Sequence, residues 1–183
     1  MPYFAVIDTE TNWNNELMSI GTVIADSKTF KAVKVRYHVL MPEIEVGGMF
    51  SDALFDSKLK HILCTRKEAM EDLIYLLKEY GVSSVFAYNA AFDRRLMPRL
   101  RAFDWYDIMS FAAYRQHNKS ITAFDECFKT GRLKHGYGVE AMLRRLSGDN
   151  TYSETHNALY DALDELEIMR LLGYAPDRYV KMV

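Results

Sequence analysis

The sequence predicts an α/β domain built on a sheet of mixed direction. Three observations carry this: a short unbroken apolar run near the start, two strand-like runs directly after it, and then strand-like segments alternating with helical periodicity. At 183 residues and 49% hydrophobic, the chain can bury a sizeable core within the usual size of one domain. Residues 1–183 are therefore expected to fold as a single unit.

Tyr3 to Ile7 (YFAVI) is continuously apolar, as a central strand covered on both faces should be, and it ends in charge at Asp8-Thr9-Glu10. Leu17 to Ala25 and Ala32 to Leu40 read as two further strands, the second alternating like a half-exposed one. Together the three suggest an antiparallel meander. Residues 42–58, with Pro42, Gly47 and Gly48, read as a loop. Thr65 and Glu68 form a capping-box pattern that opens a helix through Leu73, Leu76 and Leu77 to a stop at Gly81. Val82 to Tyr88 returns to a strand pattern, and Asn89 to Arg101 reads as one helix closed off by Phe103-Asp104. Trp105 to Met109 is a short strand entering a further helix. Val139 to Leu146 has helical spacing, and a last helix is expected from Ala158 to Leu172.

Charge and composition narrow the function classes. The net charge of −2 makes no general case for a nucleic-acid partner, so any such binding must come from local patches. Residues 115–135 carry Arg115, Lys119, Lys129, Arg132 and Lys134, whereas 149–167 holds six acids and no Lys or Arg. No apolar run approaches the roughly 18 residues of a membrane span, and the N-terminus lacks a basic leader pattern. A soluble, cytoplasmic protein without membrane contact is expected. Cys64 and Cys127 fit no zinc or CxxC spacing and read as buried thiols.

Three acidic motifs carry chemistry. Residues two apart on a strand share a face, so Asp8 and Glu10 present two carboxylates in one direction beside an apolar segment. Such a pair either holds its protons or binds a cation, and hard oxygen ligands suit Mg²⁺ or Mn²⁺; the plainer reading is a charged strand end. Tyr88-Asn89-Ala90-Ala91-Phe92-Asp93 lies where a strand feeds a helix, the junction at which ligands sit in open α/β sheets. Asp93 there equally complements a helix N-terminus. In the third motif, His156-Asn157-Ala158-Leu159-Tyr160-Asp161, five residues subtend about 140° on a helix, so His156 and Asp161 cannot point the same way from one helix. His156 must sit on the lead-in or first turn, while Asp161 lies at the edge of the apolar stripe and points inward. A capping histidine is the plainer alternative.

In this order, FAVIDTET, YNAAFD and HNALYD resemble the three motifs of the DEDDh branch of the DnaQ-like exonucleases, and VEAMLRRL resembles the helix that precedes the third. The resemblance covers nearly the whole chain and implies an RNase H-like fold: a three-strand antiparallel meander plus parallel strands, flanked by helices. It implies that Asp8, Glu10, Asp93 and Asp161 hold two divalent cations, Mg²⁺ or Mn²⁺, with Asp93 partly through water, and that His156 is the general base. The implied activity is 3′→5′ hydrolysis of phosphodiester bonds at the 3′ end of single-stranded DNA or RNA, releasing nucleoside 5′-monophosphates. Thr9, Thr11, Asn89 and Phe92 would hold the last nucleotide, with Trp13 and Tyr88 as further stacking candidates. A second copy of the chain or a polymerase would be the protein partner. Two other readings share these residues: a non-catalytic interaction subunit, and an RNase H-like endonuclease. The chain departs from the family at Asn12-Trp13, where Thr-Gly is common, and at GGMFSDALFD, 47–56, which has no evident counterpart.

Overall fold

The computed structural model describes residues 2–182. Six strands form one sheet: β1 (Tyr3–Thr11), β2 (Leu17–Asp26), β3 (Ala32–Met41), β4 (Ile62–Thr65), β5 (Ser84–Ala87) and β6 (Asp104–Asp107), in the spatial order β4-β3-β2-β1-β5-β6. The meander β1-β2-β3 is antiparallel, whereas β4 adds to β3, β5 to β1, and β6 to β5 in parallel. The mixed direction expected from the element order is present.

Five helices flank the sheet: α1 (Arg66–Glu79), α2 (Ala91–Leu96), α3 (Met109–Ala112), α4 (Val139–Ser147) and α5 (Ala158–Leu172). Alternation along β1 sends Phe4 and Val6 to one face, packed with Met142, Leu143, Ala162 and Leu166 of α4 and α5. Ala5 and Ile7 go to the other face, against Leu73, Leu76 and Leu77 of α1 and Trp105 of β6. Central β1 is thus buried on both sides, which is why it reads as an unbroken apolar run. Among the described residues, no helix is long and apolar enough to cross a membrane.

Several boundaries differ from the sequence reading. β1 carries its acids on the strand, as their spacing requires, and its pairing with β2 runs on to Thr11. β3 does not alternate: residues 32–35 are exposed and 37–40 buried, since the covering helices reach only half of its length. Asn89–Arg101 is not one helix. Pro98 has no N–H to donate and its ring crowds the preceding turn, so α2 ends at Leu96 and a separate 3₁₀ turn, Pro98–Leu100, follows. Edge strand β4 is too short and too exposed to announce itself. The capping box at Thr65 is present, Thr65 Oγ1 accepting from the Glu68 N–H while Glu68 accepts from the Thr65 N–H at 2.8 Å. Cys64 and Cys127 are free thiols, but part-exposed rather than buried.

Candidate active site

The site forms where the ends of β1 and β5 meet the start of α5. Asp8 and Glu10 share the α5 face of β1, and across β2 they pair with Gly21 and Ser19. Gly21 decides how close α5 can come: a Cβ built there would lie 1.9 Å from the carbonyl oxygen of Ala158. With hydrogen in that place, the first turn of α5 sits directly on the sheet beside Asp8.

α5 begins with Asn157, whose side-chain oxygen accepts from the Leu159 N–H at 3.1 Å. The same side chain donates through Nδ2 to the Tyr37 hydroxyl at 3.0 Å and the Ala53 carbonyl at 2.7 Å. The cap therefore also pins the 42–58 loop to the sheet. His156 precedes the cap, on the lead-in, with a left-handed backbone (φ 55°) that non-glycine residues adopt at a cost. Its ring lies flat on Phe50 from that loop, centroids 3.9 Å apart. The loop thus supplies the surface on which the imidazole rests. One turn into α5, Asp161 points inward and is 3% exposed. Glu10, His156 and Asp161 each bring a ligand-type atom within 4.8 Å of the others.

Asp93 is the third residue of α2 and 2% exposed. Thr9, on the opposite face of β1 from Asp8, donates its hydroxyl to Asp93 Oδ1 at 2.7 Å, so this buried threonine orients the acid. The turn before α2 is built by Asn89, also left-handed (φ 61°), whose N–H donates to Asp107 Oδ1 at 2.9 Å. Met109 N–H donates to the same oxygen at 3.0 Å, which joins the turns after β5 and β6. Thr11 and Phe92 are part-exposed at the rim, Asn89 and Trp13 are exposed, and the Tyr88 hydroxyl is engaged by the Tyr137 carbonyl.

Burial and mutual repulsion dominate the electrostatics. Asp8 is pushed well up from the carboxylate range by burial, then by the charges of Glu165 and Asp93. Burial, followed by Glu154, raises Glu10 to about 8, and the same two causes raise Asp161 to about 8. Asp93 rises to about 7 through burial, against the lowering hydrogen bond from Thr9. Among the described residues no Lys or Arg makes an ion pair with any of these acids. Asp8 Oδ2 and Asp161 Oδ1 are sealed from water with no hydrogen-bond partner. Uncompensated carboxylates at such cost could hold divalent cations, whose charge would balance them.

No family model and no curated protein matches the chain. Solved structures do. The nuclease domain of 3′hExo, a DEDDh family member bound to rAMP, aligns with 99% of this chain and 98% of its own at TM-score 0.62 and 16% identity. The chain has the DnaQ-like exonuclease fold. A 3′-exonuclease in a structure of 3′-end-specific recognition of histone mRNA stem-loop aligns with 100% of this chain and 91% of its own, at TM-score 0.63 and 16% identity. E. coli Exonuclease I in complex with a dA16 oligonucleotide aligns at TM-score 0.58 and 13% identity, over 97% of this chain and 42% of that one.

Within this DnaQ-like fold, three contributors escaped sequence reasoning. Glu165, 1% exposed, faces the same cluster from the next turn of α5. Its spacing of four from Asp161 was the available signal, hidden in the acidic run DELE. Asp107 gives no local sign that it accepts from two turns, and Phe50 meets His156 across more than one hundred residues. The basic segment is partly spent on itself: Arg115 donates to the Asp125 carbonyl, Lys134 pairs with Glu126, and Arg132 covers Phe128 and Tyr137. Lys119 and Lys129 remain exposed.

Proposed function

We propose that the chain is a metal-dependent 3′→5′ exonuclease acting on single-stranded 3′ ends. The observation that carries this reading is the convergence of Glu10, His156 and Asp161 within 4.8 Å, beside the buried Asp8 and with no cationic side chain to balance them. The fold shared with 3′-exonucleases supports the same reading.

Asp8, Glu10 and Asp161 would hold two divalent cations, Mg²⁺ or Mn²⁺, with Asp93 completing the set from α2. Such a pair of cations neutralises the scissile phosphate, acidifies a bound water and stabilises the leaving oxygen. His156 takes the proton from the attacking water; the water oxygen bonds to phosphorus, the P–O3′ bond breaks, and the leaving O3′ gains a proton from solvent. The products are a nucleoside 5′-monophosphate and a strand one nucleotide shorter. Thr11, Asn89 and Phe92 line the place of the last nucleotide, Thr9 acts through Asp93, and exposed Trp13 offers a stacking surface.

The test is Mn²⁺-dependent digestion of 5′-labelled single-stranded DNA and RNA, beside Asp8→Ala and His156→Ala. A ladder shortening from the 3′ end, lost in both variants while His156→Ala still binds Mn²⁺, is the expected result. Internal cuts would make the chain an endonuclease, and no metal-dependent cleavage of either polymer would leave an interaction module.

A further inference from the structure

The acids of the site lie on two rungs. Along a strand a step of two residues advances about 6.8 Å, and along a helix a step of four advances about 6 Å, so strand and helix positions stay matched. Glu10 faces Asp161 and His156 at the half-exposed end of the cluster. One step deeper, Glu165 follows Asp161 on the same face of α5, and its charge adds to the burial that raises Asp8. Glu165 is 1% exposed, and its Oε2 has no hydrogen-bond partner. The Tyr88 backbone N–H donates to this carboxyl group, and no described Lys or Arg pairs with it. A buried carboxylate without a cation is costly, and two of them set side by side cost more. The deep rung is therefore built around something positive that the protein does not itself supply.

We propose that Glu165 is a fifth carboxylate of the metal centre, its unpartnered Oε2 adding a ligand oxygen to the cation that Asp8 holds, on the side away from the nucleotide. This rests on the metallonuclease reading. The four motif acids would hold the pair of ions, and Glu165 would add its oxygen from the next turn of α5.

Mn²⁺ titration followed by electron paramagnetic resonance, on the whole chain and without nucleic acid, tests it. Glu165→Gln keeps the side-chain shape and an acceptor for the Tyr88 N–H. It is expected to weaken one Mn²⁺ at least tenfold, and to melt above wild type in EDTA because a buried acid is gone. Unchanged Mn²⁺ affinity and stoichiometry would overturn the proposal, whatever happens to melting. Asp8→Asn separates the two ideas. If it loses Mn²⁺ while Glu165→Gln keeps it, only the fifth ligand is wrong; if wild type takes up no Mn²⁺, the metallonuclease reading falls with it. Should Glu165→Gln fail to fold by circular dichroism, Glu165→Asp, which withdraws the carboxylate by one methylene, is read in its place and is expected to show the same loss.

Discussion

Phe50 lies flat against His156, the two rings 15° from parallel and 3.9 Å between centroids. The loop that carries Phe50 is itself fixed: Gly47 accepts from the Trp13 N–H, and Leu54 accepts from the Tyr37 hydroxyl, both at 2.9 Å. The imidazole is set in place from outside its own helix. Phe50→Ala should therefore lower kcat about tenfold, part of the ~10²–10⁴ that a positioned base supplies, while Mn²⁺ affinity stays as in wild type. Steady-state kinetics on a labelled oligonucleotide, with Mn²⁺ binding measured in parallel, checks this. An unchanged kcat would show that the ring needs no such support.

Gly21→Ala places a methyl group where the Ala158 carbonyl lies. Backbone on both sides leaves no flexible side chain to yield, so α5 must lift from the sheet. A loss of about 1–3 kcal/mol is expected, as for overpacked cores, or some 2–12 °C in Tm for a chain of this size. Lifting α5 also carries Asp161 away from Glu10, so activity should fall further than stability alone explains. Thermal melting by circular dichroism, with activity measured well below Tm, would decide it; a Tm within a degree of wild type would refute the clash.

The raised carboxyl groups predict how pH and metal act together. Glu10 and Asp161 titrate near 8 in the folded chain and near 4 when unfolded. Between those values the unfolded chain binds fewer protons, so metal-free stability falls as pH rises from about 4 to about 8 and then levels. Cations displace those protons on binding, and so stabilise most where the cost is greatest. The rise in Tm on adding Mn²⁺ should be larger at pH 8 than at pH 5.5, read by differential scanning fluorimetry against EDTA controls. An equal rise at both pH values would mean that the ions do not bind these acids.

Much of the fold was legible because local chemistry agreed with tertiary need. The Thr65 capping box, the apolar run of β1 and the span of α5 each show in a few adjacent residues, and His156 was forced off α5 by angle alone. What stayed hidden depends on partners far along the chain. The exposure of β3 follows from where the helices stop, not from its own pattern. Residues 47–56 gave no hint that they support the histidine, since nothing in GGMFSDALFD specifies a stacking partner. Glu165 is hidden differently: acids at 164, 165 and 167 resemble a solvated face until the helix phase set by Asp161 is applied. The break at Pro98 is another matter: its rule is firm, and the reading of 89–101 as one helix passed over it.

Asp107 holds the amides at Asn89 and Met109 on one oxygen, and Ala90 donates to it as well. The two crossover turns are thereby riveted into a single lip, so neither can open without the other. The 42–58 segment is likewise stitched to α5, through Asn157 and through Tyr160, which donates to Asp56 at 3.0 Å. Both segments are therefore held by side chains of other elements rather than by their own turns. Under the exonuclease proposal, variation in 42–58 that keeps these tethers would change which 3′ ends fit while leaving the acids where they are.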